Sequence, residues 1–189
     1  MKRKKLKVGI VGLTSCEGCQ FSIMDLGNRF IDLLEYFEIV EFRLMEEKVF
    51  KTPEMDICFV EGSVVTKSNK KKVKEIREKS KVLVALGNCA SMGGIHQIKN
   101  YHEPKKLIKN IYSNSDKIDN PNILNLGDII KVDYTIPGCP INNLEFLKLV
   151  YTLIREIDFK IPNKPVCHEC QSRGYRCVLM DGEPCLGPI

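Results

Sequence analysis

The chain has 189 residues, a formal net charge of +5 and 43% hydrophobic composition, which suits one compact domain with a short appendage. No apolar run approaches the roughly 18–20 residues of a membrane span, and Leu6 to Leu13 is too short and too glycine-broken for a signal-peptide core. A cytoplasmic location without membrane contact is therefore expected.

Lys7–Leu13 is a short apolar run rich in β-branched residues and reads as a buried strand. Glu17–Glu38 carries apolar residues at near-helical spacing (Phe21, Met24, Leu26, Phe30, Leu33, Leu34, Phe37), with Ser15 as a candidate cap. Ile39–Leu44 and Met55–Val60 read as the second and third strands, the latter ending at Glu61-Gly62-Ser63. Asn69–Lys79 reads as a charged helix with Val73 and Ile76 facing inward. Lys81–Leu86 is the fourth predicted strand and Ile129–Ile136 the fifth. Gly93–Asp128 is irregular by this reading, with Asn114–Asn122 as a polar surface loop. Asn142 or Asn143 can cap a helix that runs through Leu149 to about Ile157.

Strands alternating with helices imply an α/β fold: a mostly parallel sheet with helices on both faces. The expected division is residues 1–157 as this domain and 158–189 as an irregular cysteine-rich tail, where apolar periodicity stops and Pro and Gly become frequent. Such a tail is too short for a core of its own, but a metal centre can organise it.

Nine cysteines point to metal or redox chemistry in a reducing compartment. Cys16 and Cys19 form a C-x-x-C pair after the first predicted strand; Cys89 and Cys139 follow the fourth and fifth. In an open parallel sheet, ligands bind outside the carboxyl ends of the strands, so these four thiols should converge. Four converging thiolates match a cubane cluster, and Gly18, Gly87 and Gly138 allow the tight turns that free N–H groups to face its sulfurs. Cys58, inside the third strand, reads as a buried apolar residue instead. The tail holds Cys167, Cys170, Cys177 and Cys185; from spacing alone it is either a four-cysteine zinc site, with His168 as a candidate substitute ligand, or an iron–sulfur site. The basic runs Lys2-Arg3-Lys4-Lys5 and Lys70-Lys71-Lys72 lack interleaved aromatics, so nucleic acid is not expected as a partner. Two cubanes at about −2 each would cancel most of the positive charge.

Thr14-Ser-Cys-Glu-Gly-Cys19, Glu61-Gly-Ser63, Gly87-Asn-Cys-Ala90 and Pro137-Gly-Cys-Pro140 resemble the motifs of nickel–iron hydrogenase small subunits and of the related 20 kDa-type subunit of respiratory complex I. The tail, from Val166-Cys to Pro184-Cys-Leu-Gly-Pro188, is similar to the cytoplasmic group of the former, which includes the F420-reducing and viologen-reducing hydrogenases and the archaeal sulfhydrogenases. The resemblance implies a flavodoxin-like domain with a proximal [4Fe–4S] cluster on Cys16, Cys19, Cys89 and Cys139. It also implies a second [4Fe–4S] cluster on Cys167, Cys170, Cys177 and Cys185. A large-subunit partner would carry the nickel–iron centre, and a further protein would accept the electrons. This chain would hold no catalytic centre of its own; Glu17 and Glu61 would stand beside the proximal cluster as candidates for proton relay, partner contact or structural hydrogen bonding.

In complex I relatives the first pair is two adjacent cysteines, so Cys16-Glu-Gly-Cys19 favours hydrogenase. Cytoplasmic small subunits usually continue past Cys-Leu-Gly-Pro with further cysteines; on this sequence two clusters are expected, with the second as electron exit. The competing readings are a subunit of a membrane-associated energy-converting complex and a zinc-stabilised non-enzymatic module.

Overall fold

The computed structural model describes residues 4–42, 44–45, 51–115, 118, 122–160 and 167–185. The chain forms two compact units, Met1–Ile157 and Asp158–Ile189.

In the first unit five strands form one parallel sheet: β1 (Leu6–Gly12), β2 (Phe37–Phe42), β3 (Met55–Glu61), β4 (Ser80–Leu86) and β5 (Tyr134–Ile136). Their order is β2-β1-β3-β4-β5, the flavodoxin-like order, and every pairing is parallel. The central strands are buried on both sides, which is why they read as continuous apolar runs rather than alternating ones. On one face Val11, Cys58, Val60, Leu83 and Ala85 pack with Val73 and Ile76 of α3 (Lys67–Glu78). On the other, Phe59 meets Phe146 of α6 (Asn143–Ile154) with ring centroids 5.1 Å apart. The α/β architecture with helices on both faces is therefore the one expected. Fully burying one such aromatic side chain contributes roughly 1.5–3 kcal/mol.

The capping chemistry is local and specific. Thr66 accepts from Asn69 N–H in a capping box that starts α3, and Asn142 accepts from Leu144 and Glu145 N–H to start α6, as its sequence position suggested.

Two predicted elements take a different form. The single helix expected over Glu17–Glu38 is two short helices, α1 (Gly18–Met24) and α2 (Asn28–Leu33). The chain breaks at Gly27, whose φ of 55° leaves the helical region, and β2 already begins at Phe37. Ser15 is not the helix cap; Glu17 holds that position. The fifth strand, expected over Ile129–Ile136, is only Tyr134–Ile136. Ile129, Ile130 and Val132 pack against the core from irregular chain instead. Asp133 marks the changeover: its N–H donates to Leu83 O at 2.9 Å, while its Oδ2 accepts from Leu83 N–H at 2.9 Å and from Arg77 Nη1 at 2.6 Å. A carboxylate thus stands in for the ladder where β5 has not yet begun.

The stretch read as irregular contains α4 (Gly87–Met92), a 3-10 segment Ile95–Tyr101 and α5 (Pro104–Ile111). Asn100 ties it down with a double hydrogen bond to Ile123 at 2.8 and 2.9 Å. The polar loop expected at Asn114–Asn122 lies largely outside the described residues.

In the second unit the backbone hydrogen bonds within residues 167–185 are local. Helix α7 (Cys167–Ser172) ends where Tyr175 N–H donates to Cys170 O at 2.9 Å and Gly174 adopts φ 72°. A 3-10 turn, Val178–Asp181, follows Cys177, with Arg176 paired to Asp181. Among residues 167–185 none is buried.

Candidate metal centre

Because the strands are parallel, the loops leaving β1, β3, β4 and β5 emerge side by side at one edge of the sheet. The β1 and β3 loops are joined first. Thr14 and Ser63 exchange backbone hydrogen bonds at 3.0 and 3.3 Å. The turn requires Gly62, whose φ is 98° and where a Cβ would lie 2.8 Å from Thr14 O. The β4 and β5 loops are joined by Asn88, which donates its N–H to Gly138 O at 2.9 Å and accepts Gly138 N–H at 2.8 Å.

These joined loops carry the four cysteines. Cys16 is exposed after β1, Cys19 is buried in α1, Cys89 is half-buried in α4 and Cys139 is exposed after β5. They share one neighbourhood. Burial raises the Cys89 thiol pKa, and the charges of Cys139, Cys16 and Glu61 raise it further. Burial pushes Cys19 up to about 12, with Glu61 and Cys89 adding to the rise. These thiols resist ionisation on their own, and a bound cation would invert that preference.

Glycine keeps space open beside three of the four. A Cβ at Gly87 would stand 2.5 Å from Cys19 Sγ, one at Gly94 would stand 2.5 Å from Cys89 Sγ, and one at Gly18 would stand 3.3 Å from Cys16 Sγ.

The two candidate carboxylates are placed very differently. Glu17 is exposed beside Cys16, in left-handed backbone with φ 64°. Glu61 is buried, with three N–H groups donating to its carboxylate: Cys19 N–H, Gln20 N–H and the Gln20 side-chain amide. Cys58 lies apart in the core on β3, fully buried, and burial pushes its thiol up to about 12.

In the second unit, Cys167 and Cys170 stand one turn apart on the same face of α7. Cys177 opens the 3-10 turn and Cys185 follows it. Among the described residues no three Cys, His, Asp or Glu side chains close on a single ion position. A cubane makes a different demand, because its thiolates bind separate irons.

Sequence reasoning missed Gln20, the cross-link made by Asn88, and the contact of Ser63 Oγ with His96 Nδ1 at 3.1 Å. All three join residues distant along the chain, 41, 50 and 33 positions apart, so no local signal marked them.

Residues 16–153 match the family described as NADH ubiquinone oxidoreductase, 20 Kd subunit. The chain belongs to that family. It is 32% identical over 188 residues to sulfhydrogenase 2 subunit delta of Pyrococcus furiosus, covering 97% of this chain and 77% of the relative. It is 31% identical over 176 residues to the NAD-reducing hydrogenase HoxS subunit delta of Cupriavidus necator, covering 84% and 83%. Its fold matches a chain in the crystal structure of an NAD+-reducing [NiFe]-hydrogenase in the H2-reduced state, with a TM-score of 0.76 at 23% identity over 85% of this chain and 97% of that one. The resemblance to hydrogenase small subunits is thus borne out by relatives that are themselves hydrogenase subunits. Among the described residues no helix is long and apolar enough to cross a membrane.

Proposed function

We propose that this chain is the iron–sulfur subunit of a nickel–iron hydrogenase and relays electrons between the nickel–iron site of a large subunit and an acceptor protein. Cys16, Cys19, Cys89 and Cys139 would hold one [4Fe–4S] cluster; Cys167, Cys170, Cys177 and Cys185 would hold a second. The observation that carries the reading is the meeting of the first four thiols on joined loops at one sheet edge, with glycines where a Cβ would crowd three of them.

A bound [4Fe–4S] centre supplies reversible one-electron transfer at a potential the protein adjusts. The chain's own residues do the rest. Gly87 and Gly94 keep the backbone close to Cys19 and Cys89. Asn88 locks the Cys89 loop to the Cys139 loop. Glu17, exposed beside Cys16, is the carboxylate available for partner contact or a proton relay. Met92, Ile95, Ile98 and Tyr101, on the chain just after Cys89, are exposed apolar side chains suited to cover by the large subunit. Thiolate ligation in all eight positions suits a reducing, cytoplasmic compartment.

Anaerobic purification of the native complex tests this. About eight iron and about eight acid-labile sulfide per chain, with a co-purifying large subunit, are expected. Stoichiometric zinc with little iron overturns the reading in favour of a zinc-stabilised module. Co-purifying integral membrane subunits would reassign the chain to an energy-converting complex.

A further inference from the structure

Glu61 is the last residue of β3, but its carboxylate serves α1. Oε1 accepts from Cys19 N–H at 3.1 Å; Oε2 accepts from Gln20 N–H at 3.3 Å and from Gln20 Nε2 at 3.0 Å. The two backbone donors lie in the first turn of α1, where a helix leaves its N–H groups without intrahelical partners. The residue at the N-cap, Glu17, supplies no side-chain cap and sits at φ 64°. The capping duty has passed to a side chain from a neighbouring strand, 42 residues away from Cys19 in sequence.

The arrangement is costly in two ways. Glu61 is 2% exposed, so a carboxylate has been removed from water. Gln20, 1% exposed, turns its amide nitrogen to Glu61 and leaves its Oε1 buried without a partner. An apolar residue at 61 with an ordinary cap at 17 would avoid both costs. The charge of Glu61 is felt at Cys19 and at Cys89, on two different loops of the site.

We propose that Glu61 is a positioning residue of the first cluster site: it fixes the backbone of Cys19 and places a negative charge beside the cluster that holds its reduction potential down. The inference rests on the cluster reading above. Reduction brings one electron from the partner subunit and makes or breaks no bond, so the added negative charge is what a neighbouring carboxylate opposes. Burial strengthens that opposition, because charges in a low-dielectric surrounding interact more strongly than in water.

The test is Glu61→Gln in the native complex, read by iron and sulfide content and by EPR-monitored redox titration. The side chain keeps its shape and loses its charge. The expected result is a loaded first cluster whose reduced-to-oxidised ratio at fixed potential rises about tenfold, which is about 59 mV for a one-electron couple. A fully loaded variant with an unchanged potential overturns the proposal. If Glu61→Gln fails to load, Glu61→Asp decides: restored loading at a near wild-type potential supports a charged clamp, and failure of both reduces Glu61 to a packing role and overturns it. Wild-type complex without cluster iron would instead overturn the reading on which the inference rests.

Discussion

The two units of this chain carry their four-cysteine sets in opposite ways. In Met1–Ile157 the four cysteines are far apart in sequence, and a close-packed parallel sheet brings their loops together. Cross-loop hydrogen bonds from Asn88, Thr14, Ser63 and Glu61 then hold the loops. In Asp158–Ile189 the four cysteines are close in sequence, and the described residues 167–185 have no buried member among them. The first site is organised by the fold, and we expect the second to depend on what it binds. Preorganisation by a distant core and organisation by a bound metal are both workable routes to four thiolates, but they fail differently.

Removing iron should separate them most. After anaerobic chelation, amide exchange over residues 167–185 should lose its protection entirely, while the central strands β1, β3 and β4 stay protected. Equal loss in both units would erase the contrast.

A matched glycine pair makes a finer cut. Gly87→Ala places a Cβ 2.5 Å from Cys19 Sγ and 3.2 Å from Gly138 O at a φ of 76°. On the two-cluster proposal it should cost roughly half of the iron per chain, the share that proposal gives to the first four-cysteine set. Gly174→Ala in the second unit has the same backbone strain at φ 72° but meets nothing within 4 Å. It should leave iron content unchanged and cost about 1 kcal/mol locally. Similar iron losses in the two variants would show that the first site is no more crowded than the second.

The last effect concerns the scaffold alone and leaves both cysteine sets untouched. Burial pushes the Asp133 carboxyl up, but the Arg77 hydrogen bond and Leu83 N–H outweigh it and hold it below the usual carboxylate range. A carboxyl lowered on folding contributes stability that is present above its unfolded value of about 3.9 and is lost as pH falls through the lowered folded value. Asp133→Asn should therefore destabilise the first unit by about 1–3 kcal/mol near neutral pH and flatten the acid limb of its stability profile. Denaturant midpoints across pH would check this, and the iron of the second unit should not change.

Much of this was legible in advance, for reasons that differ by element. The central strands read correctly because burial on both faces forces continuous β-branched runs, and β3 and β4 show that pattern plainly. The tail cysteines stand out as a candidate metal motif because their spacing is local. The break at Gly27 was not, since Phe30 and Leu33 keep helical spacing across it while the turn depends on how α2 must lie against β2. The shortened β5 was hidden for a similar reason. Ile129, Ile130 and Val132 are apolar because they pack on the core, and apolar composition does not distinguish packing from ladder pairing.

The sequence by itself determined the sheet's parallel character, the helices on both its faces and the presence of eight thiols in two sets, because hydrophobic period and cysteine spacing are properties of neighbouring residues. Only the tertiary structure decided what surrounds the first set. Glu61 capping α1 and Asn88 joining two loops are contacts between residues some 40 to 50 positions apart. No local pattern encodes them; they exist because a parallel sheet aligns the ends of its strands and leaves the loops there to satisfy one another's N–H groups.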